Sequence, residues 1–138
     1  MSTAAKPLNA EDIMQHEIVT ADVDETASKL SSRMSLNDIH HIPILDDGFL
    51  LGVVSTADIE MVTRCSKLVP NLAKLVRASD IMSTPPVTAK EDASVEEIIN
   101  LMIENNVRSI VIARSEEELL GIVTHTDIMR LCADLLQD

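Results

Sequence analysis

The octapeptides GVVSTADI and GIVTHTDI contain the polar residues of this chain that are best placed to bind a ligand. In each, an apolar run ends at a hydroxyl residue, Ser55 or Thr124, and an acid follows three residues later, Asp58 or Asp127. Such a run predicts a strand, and a hydroxyl residue followed by an acid predicts the start of a helix. Backbone N–H groups at a helix N-terminus are unpaired and attract anions. Both octapeptides therefore predict a strand-to-helix junction that suits a phosphate group.

The side chains of these junctions have two interpretations. As ligand groups, the hydroxyls of Ser55, Thr124 and Thr126 can donate to phosphate, and the carboxylates of Asp58 and Asp127 can each accept from two neighbouring ribose hydroxyls. As structural groups, the hydroxyls cap the helices and the acids complement the helix dipole. Because the whole arrangement occurs twice, we favour the ligand site. We expect Asp127 to be exposed in its first helical turn.

The junctions belong to a larger internal repeat. Residues 10–45 align with 78–113 at a shift of 68, and after one inserted residue the stretch from Leu51 aligns with that from Leu120 at a shift of 69. Asp-Ile-Met opens both copies, and Val-Thr-Ala follows it in both. A match of this length predicts two copies of one structural unit. We expect a first repeat at 10–66, a linking helix at 67–77 and a second repeat at 78–136.

Each copy predicts the same order of elements, which must position its junction. A brief extended stretch leads into an amphipathic helix, whose spacing is clear from Val95, Ile98 and Met102 in the second copy. Two strands follow, and Asp-Asp-Gly at 46–48 between apolar runs predicts a hairpin turn. A closing helix begins at each junction. The order β-α-β-β-α, found twice, predicts an α+β (α/β-like) fold with helices covering small sheets.

Composition argues against several classes of function. The formal net charge of −12 repels nucleic acids and anionic membrane surfaces. Phe49 is the only aromatic residue, so the chain has no aromatic platform on which bases could stack. With three glycines and no nucleophile elbow, the sequence predicts neither a glycine-rich phosphate loop nor a hydrolase. We expect no enzymatic activity and no catalytic cofactor.

The histidines and cysteines predict no metal site. His40 and His41 are adjacent in a predicted strand, so their side chains point to opposite faces, and no cysteine or further histidine lies at ligand spacing. Cys65 and Cys132 fall in apolar helical segments and predict buried thiols, with a redox pair as the alternative. The sequence shows no apolar leader and no apolar run of membrane-spanning length, so we expect a cytoplasmic protein.

The order D-I-M, V-T, I-P-I and G-h-h-[ST]-x-x-D-h, where h is an apolar residue, resembles the CBS domain, named after cystathionine β-synthase. The resemblance covers residues 10–66 and 78–136. It implies two CBS repeats related by a pseudo-twofold axis, an arrangement called a Bateman module, whose clefts commonly bind AMP, ADP, ATP or S-adenosylmethionine. Two positions depart from the family pattern, since Ala57 replaces a hydroxyl residue and Val111 replaces a proline.

The resemblance implies a role for each matching residue. Asp58 and Asp127 fall on the ribose-binding aspartate, and Ser55, Thr124 and Thr126 fall on hydroxyl positions that approach phosphate. The other cleft positions are the early threonines, the polar residues before the middle strand, and strand residues near the base: Thr20, Thr88, His40, His41, Arg108, Ile42 and Ile110. In the family each cleft draws on both repeats, which groups Thr20, His40 and Ile42 with Asp127, and Thr88, Arg108 and Ile110 with Asp58. The Asp127 cleft retains both hydroxyls and is the stronger candidate.

Two functions are consistent with these observations. The first is a regulatory module that senses an adenosine nucleotide or S-adenosylmethionine and signals to an unidentified partner protein. The alternative is a scaffold module with degenerate pockets, whose assembly does not depend on nucleotides. The last helix carries a wide apolar stripe that includes Ile128, Leu131 and Leu135, and such a stripe predicts a homodimer. A linking helix at 68–76 that covers the stripe within one chain is the other explanation.

Overall fold

The structure is a computed structural model of the chain, and it describes residues 8–137. The described residues form two compact units: the first unit is residues 19–86, and the second unit joins residues 8–18 to residues 87–137. In chain order the elements are α1 (Ala10–Ile13), β1 (Ala21–Asp22), α2 (Ala27–Asn37), β2 (His41–Asp46), β3 (Phe49–Ser55), α3 (Thr56–Cys65), α4 (Leu72–Leu75), α5 (Ala78–Ile81), β4 (Thr88–Ala89), α6 (Val95–Asn105), β5 (Ser109–Ser115), β6 (Glu118–Thr124) and α7 (His125–Leu136). The predicted mixed class and the order β-α-β-β-α are confirmed in both copies.

The first unit is built on a three-stranded sheet in the order β1-β2-β3. Strand β1 runs parallel to β2, and β2 is antiparallel to β3. Asp47 and Gly48 form the turn between β2 and β3, and both have positive φ, 50° and 86°. Two positive φ values match the twist of the flanking strands, which confirms the predicted hairpin turn. The apolar core of this unit is formed by residues of α2, β2, β3 and α3: Leu30, Met34, Ile42, Ile44, Val54, Ile59 and Val62.

The second unit repeats this plan with a sheet in the order β4-β5-β6 and the same strand directions. Its core is formed by residues of α1, α6, β5 and β6, together with Met14 just after α1: Ala10, Met14, Ile98, Met102, Ile110, Ile112 and Val123. Both cores consist almost entirely of aliphatic and methionine side chains, as the near absence of aromatic residues requires.

Helices α2 and α6 begin and end in the same way. The hydroxyls of Thr26 and Ser94 each accept from the backbone N–H three residues later, at 3.3 and 3.0 Å, which caps the N-terminus of the helix. Each helix ends at a residue in the left-handed conformation, Asp38 with φ 51° and Asn106 with φ 52°. Asp and Asn tolerate this conformation better than most residues. These signals stop both helices just before the middle strand of the sheet.

The opening segment of each sequence repeat packs in the unit that contains the sheet of the other repeat. In the second unit, the Ala10 N–H donates to the Ala93 carbonyl at 2.8 Å, and α1 lies against this unit's core. In the first unit, the Ala78 N–H donates to the Glu25 carbonyl at 2.8 Å, which ties α5 to the segment before α2. The compact units therefore have different boundaries from the sequence repeats.

The glycine of each octapeptide makes room for that opening segment. A Cβ on Gly121 would lie 2.7 Å from the Gln15 carbonyl oxygen, and a Cβ on Gly52 would lie 2.6 Å from the Ser83 carbonyl oxygen. Carbon and oxygen atoms cannot approach so closely without displacement. The backbone contact explains why both octapeptides begin with glycine. No helix of the part of the chain that the structure describes is long and apolar enough to cross a membrane.

Candidate functional site

In the first unit, β3 continues directly into α3 at Ser55. Ser55 is the last residue of the strand and the N-cap of the helix, with extended backbone angles of φ −108° and ψ 166°. Oδ2 of Asp58 accepts from the Ser55 backbone N–H at 2.8 Å and from the Ser55 hydroxyl at 3.0 Å. The predicted capping interpretation is therefore realised here. Because the hydroxyl proton points at the carboxylate, it reaches a phosphate only if the hydroxyl rotates.

The second unit has the same junction at Thr124, between β6 and α7. Oδ2 of Asp127 accepts from the Thr124 backbone N–H at 2.8 Å and from the Thr124 hydroxyl at 3.2 Å. Thr126 is half-buried in the first turn of α7, one residue before the acid. Each junction thus fixes a carboxylate at the N-terminus of a helix. That placement is favourable for a negative charge.

The two aspartates differ in their second oxygen and in their burial. Oδ1 of Asp127 accepts from the Gln15 side-chain amide at 3.1 Å. Oδ1 of Asp58 has no hydrogen-bond partner within residues 8–137. Asp127 is 9% exposed, whereas Asp58 is half-buried. The expectation that Asp127 is exposed was wrong: the residue is buried, and hydrogen bonds from Gln15 and Thr124 hold its carboxylate within the second unit.

His40 and Arg108 occupy equivalent positions in the two units. Each is exposed and precedes the middle strand, and its backbone carbonyl accepts from the first residue of the closing helix. These bonds are 2.9 Å from the Thr56 N–H to His40 and 3.0 Å from the His125 N–H to Arg108. The His40 ring adds a contact of 3.1 Å between Nδ1 and the Thr56 hydroxyl. The structure therefore brings His40 to the Asp58 junction, and Arg108 to the Asp127 junction, within single units.

The threonines and isoleucines implied by the family resemblance have different surroundings. Thr20 is half-buried just before β1, and Thr88 is exposed in β4. Ile42 and Ile110 are fully buried in the cores of their units, which leaves their side chains no exposed surface. His41 is half-buried at the start of β2.

Arg33 and Gln15 are polar residues near these positions that the sequence did not reveal. Arg33 Nη1 donates to the Thr20 carbonyl at 2.7 Å, and its Nη2 pairs with the Glu25 carboxylate. The repeat alignment places Leu101 at the position equivalent to Arg33, so comparison of the two repeats did not mark Arg33 as a functional residue. Gln15 is 112 residues from Asp127, a separation at which no local pattern predicts contact.

The cysteines do not lie where the sequence predicts. Cys65 and Cys132 are exposed, so the prediction of buried thiols was wrong: both lie on the outer side of their helices, near the exposed Met61 and Met129. Within residues 8–137, no group of three or more His, Cys, Asp or Glu side chains is arranged to hold a metal ion.

Two three-stranded sheets, each ending in an aspartate-capped strand-to-helix junction, define a tandem repeat module of the kind predicted from the sequence. The family model for the CBS domain matches residues 10–62 and 78–134, which together make up most of the chain. The chain therefore belongs to the CBS domain family.

Known proteins resemble the chain over nearly its full length. A CBS domain-containing protein of Dictyostelium discoideum is 28% identical over 132 residues, which cover 91% of each chain. The crystal structure of the CBS domain pair of protein MJ0100, in complex with 5′-methylthioadenosine and S-adenosyl-L-methionine, is 25% identical with a TM-score of 0.81. That match covers 94% of this chain and 98% of the other.

A third relative carries metal. Hypoxic response protein 1 of Mycobacterium tuberculosis is 33% identical over 122 residues, which cover 88% of this chain and 82% of that protein. A structure of Hypoxic Response Protein I contains two coordinated zinc ions and has a TM-score of 0.68 over 90% of this chain and 98% of that one.

Proposed function

We propose that this chain is a regulatory module that binds an adenosine nucleotide or S-adenosylmethionine at its Asp58 and Asp127 junctions and signals to a partner protein. The observation that carries the proposal is the duplicated carboxylate, fixed in each unit at the N-terminus of a helix. The MJ0100 pair, whose structure contains two adenosine derivatives, supports the choice of ligand. The proposed module is not an enzyme and acts in the cytoplasm without a catalytic cofactor.

The Asp58 junction suits a ribose because its carboxylate is already oriented. Oδ1 of Asp58 is available for one ribose hydroxyl, while Oδ2 is held by the two bonds from Ser55. When Oδ2 accepts the neighbouring ribose hydroxyl, the Ser55 hydroxyl can turn away and donate to another ligand atom. A hydrogen bond to a charged carboxylate contributes about 1.5–3 kcal/mol. Two such bonds provide a specific contact for the adjacent hydroxyls of a ribose.

The basic residues beside the junctions suit phosphate. His40 and Arg108 are exposed, and their main chains are tied to the first residues of α3 and α7. An arginine can bind phosphate through two parallel N–H bonds, and a protonated histidine adds a single charged donor. The other residues that we propose to line the ligand sites are polar ones implied by the family resemblance: Thr20, Thr88, His41, Thr124 and Thr126. Ile42 and Ile110, which the resemblance also implies, are fully buried in the cores and present no surface to a ligand.

We also propose that the chain forms a homodimer through the outer faces of α3 and α7. Met61 on α3 is 59% exposed, and Met129 and Leu135 on α7 are each 64% exposed. The segment between the repeats does not bury Met61, since Leu72 and Ala73 of α4 pack against the core of the first unit. Exposed apolar side chains at helical spacing suit burial against a second copy.

The alternative is a scaffold whose assembly is independent of ligand. The absence of a hydroxyl at Ala57, together with capping bonds that already satisfy part of each aspartate, supports this alternative. The two functions differ in their response to nucleotides, whereas both allow a homodimer and an unidentified effector protein.

A thermal-shift and calorimetry panel with AMP, ADP, ATP, S-adenosylmethionine and GTP separates the two functions. A ligand at 100 times its Kd stabilises a protein by about 2.7 kcal/mol, so an adenosine ligand is expected to raise the Tm by several degrees. The double variant Asp58→Asn/Asp127→Asn is expected to lose that rise. Asp134→Asn, which makes the same kind of substitution at an exposed acid elsewhere on α7, is the control and is expected to keep it. No shift with any adenosine compound at millimolar concentration would favour the scaffold.

A further inference from the structure

Gln15 reaches the Asp127 junction because its main chain is fixed beside β6. Its N–H donates to the Ile122 carbonyl at 2.9 Å, and its carbonyl accepts from the Ile122 N–H at 3.1 Å. Gly121 permits this approach, since any Cβ there would meet the Gln15 carbonyl. With the backbone held, the side-chain amide lies within hydrogen-bond distance of Asp127 Oδ1. The contact is thus set by the packing of the opening segment in the second unit.

The equivalent position in the other repeat carries a serine. Ser83 aligns with Gln15 at the shift of 68, and its main chain makes the same two bonds, here to Val53 at 2.9 and 3.1 Å. Within the described residues, the Ser83 hydroxyl makes no hydrogen bond to Asp58, whose Oδ1 remains available. The two junctions therefore share a backbone framework and differ in one side-chain contact to the carboxylate.

We propose that Gln15 lowers the ligand affinity of the Asp127 junction, so that the Asp58 junction fills first. This inference rests on the proposed function. Bidentate binding of a ribose needs an accepting position on each carboxylate oxygen. At Asp127 both oxygens are already engaged, Oδ2 by Thr124 and Oδ1 by Gln15, and the residue is 9% exposed. A ribose hydroxyl at Asp127 competes with the Gln15 amide for Oδ1, whereas Oδ1 of Asp58 has no such competitor among the described residues.

This order reverses the one obtained by counting hydroxyl residues. The Asp127 junction has Thr126 where the Asp58 junction has Ala57, and on that basis it is the stronger site. The Gln15 side-chain amide offsets the advantage of the extra hydroxyl, because it occupies an accepting position on the Asp127 carboxylate. Giving up one hydrogen bond to a charged group weakens binding by about tenfold. Gln15 thereby acts as a positioning residue that makes two otherwise similar sites unequal.

The test uses isothermal titration calorimetry of the full chain with AMP and, separately, with S-adenosylmethionine. Asp58→Asn leaves only the Asp127 junction, and Asp127→Asn leaves only the Asp58 junction. Gln15→Met keeps the length of the side chain and removes its donor. In the Asp58→Asn background, Gln15→Met is expected to tighten binding by about tenfold, because the competing bond is gone. In the Asp127→Asn background, Gln15→Met is expected to leave the Kd unchanged. Ser83→Ala, at the equivalent position of the other repeat, is the matched control in both backgrounds.

The results distinguish failure of this inference from failure of the proposed function. An unchanged or weaker Kd for Gln15→Met in the Asp58→Asn background, with binding by the parent chain intact, overturns the inference and leaves the proposed function standing. If the parent chain binds neither probe and none of the other adenosine compounds of the thermal-shift panel, the proposed function itself fails, and the inference fails with it. A purely structural role for Gln15 predicts that Gln15→Met lowers the Tm and has the same effect on the Kd in both backgrounds.

Discussion

Gln15 donates a hydrogen bond to Asp127 across 3.1 Å, although the two residues lie 112 positions apart in the chain. The first is in the opening segment of one repeat, and the second is the junction acid of the other. The opening segment therefore takes part in the chemistry of a proposed ligand site as well as in the packing of the unit.

Replacing Asp127 by alanine is expected to lower the free energy of unfolding by about 2 kcal/mol, since the carboxylate is buried and accepts three hydrogen bonds. Asp58→Ala, which removes a less buried carboxylate with two such bonds, is expected to cost about 1 kcal/mol. Urea unfolding followed by circular dichroism measures both values. Equal stability of Asp127→Ala and the parent chain would contradict the burial described here.

Adding a methyl group at either octapeptide glycine is expected to destabilise the fold by about 2–3 kcal/mol, because the backbone of the opening segment must move. Gly121→Ala and Gly52→Ala test the two units separately. Gly48→Ala is the control: it has positive φ but nothing within 4 Å of the added Cβ, so its cost of about 1 kcal/mol is confined to the turn. If Gly48→Ala lowers the Tm more than either of the other two variants, the close approach of the opening segment is not the reason that both octapeptides begin with glycine.

Arg33→Met is expected to destabilise the first unit by about 1–2 kcal/mol, because it leaves the partly buried Glu25 carboxylate without its partner and the Thr20 carbonyl without a donor. Oε2 of Glu25 is already buried without a hydrogen bond, so the charge cannot simply turn to water. The double variant Arg33→Met/Glu25→Met is expected to recover part of the loss. Stability is measured by chemical denaturation.

The matched control for that prediction is Arg114→Met. Arg114 pairs with Glu91 and Glu118 on the surface, and these carboxylates hold the pKa of its guanidinium above its ordinary value. Exposed ion pairs contribute little to folding, so this variant is expected to unfold like the parent chain. A loss for Arg114→Met that equals the loss for Arg33→Met would show that burial does not distinguish the two pairs.

Light scattering is expected to give twice the 15.1 kDa mass of one chain. Met61→Glu and Met129→Glu place a charge on the proposed interface and are expected to shift the mass toward the monomer, since a buried unpaired charge is costly. Leu36→Glu changes a more exposed apolar residue on α2, 85% exposed, and is expected to leave the mass unchanged. A monomeric parent chain contradicts the homodimer.

Local signals made much of the fold predictable. The Asp-Asp-Gly tripeptide requires positive φ at the hairpin turn, and the structure has it at Asp47 and Gly48. The spacing of Ile98 and Met102 marks the buried face of α6, and both are core residues. In both octapeptides the acid accepts hydrogen bonds from the backbone N–H and the hydroxyl of the residue three positions before it, as their spacing allows. Each of these features depends on residues within one turn of each other.

The features that the sequence did not reveal depend on distant segments. The hydrogen bond from Gln15 to Asp127 joins residues 112 positions apart. The exposure of Cys65 and Cys132 depends on which face of a strongly apolar helix meets the core, and the apolar pattern alone is too wide to decide this. The opening segment of each repeat packs in the unit that contains the sheet of the other repeat, an exchange that the sequence does not predict either. Two similar repeats present similar surfaces to α1 and α5.

The exchange of opening segments sets an order of completion during synthesis. The first unit is continuous, so all of its strands and helices exist once Pro86 has been added. The second unit needs β6, the partner of Gln15, which is made near the end of the chain. A growing chain that stops just after Pro86 would therefore hold one finished sheet, while Ile13 of α1 and the following Met14 would lack the core of the second unit against which they pack. For that interval α1 presents apolar side chains that chaperones can bind and a backbone that proteases can reach.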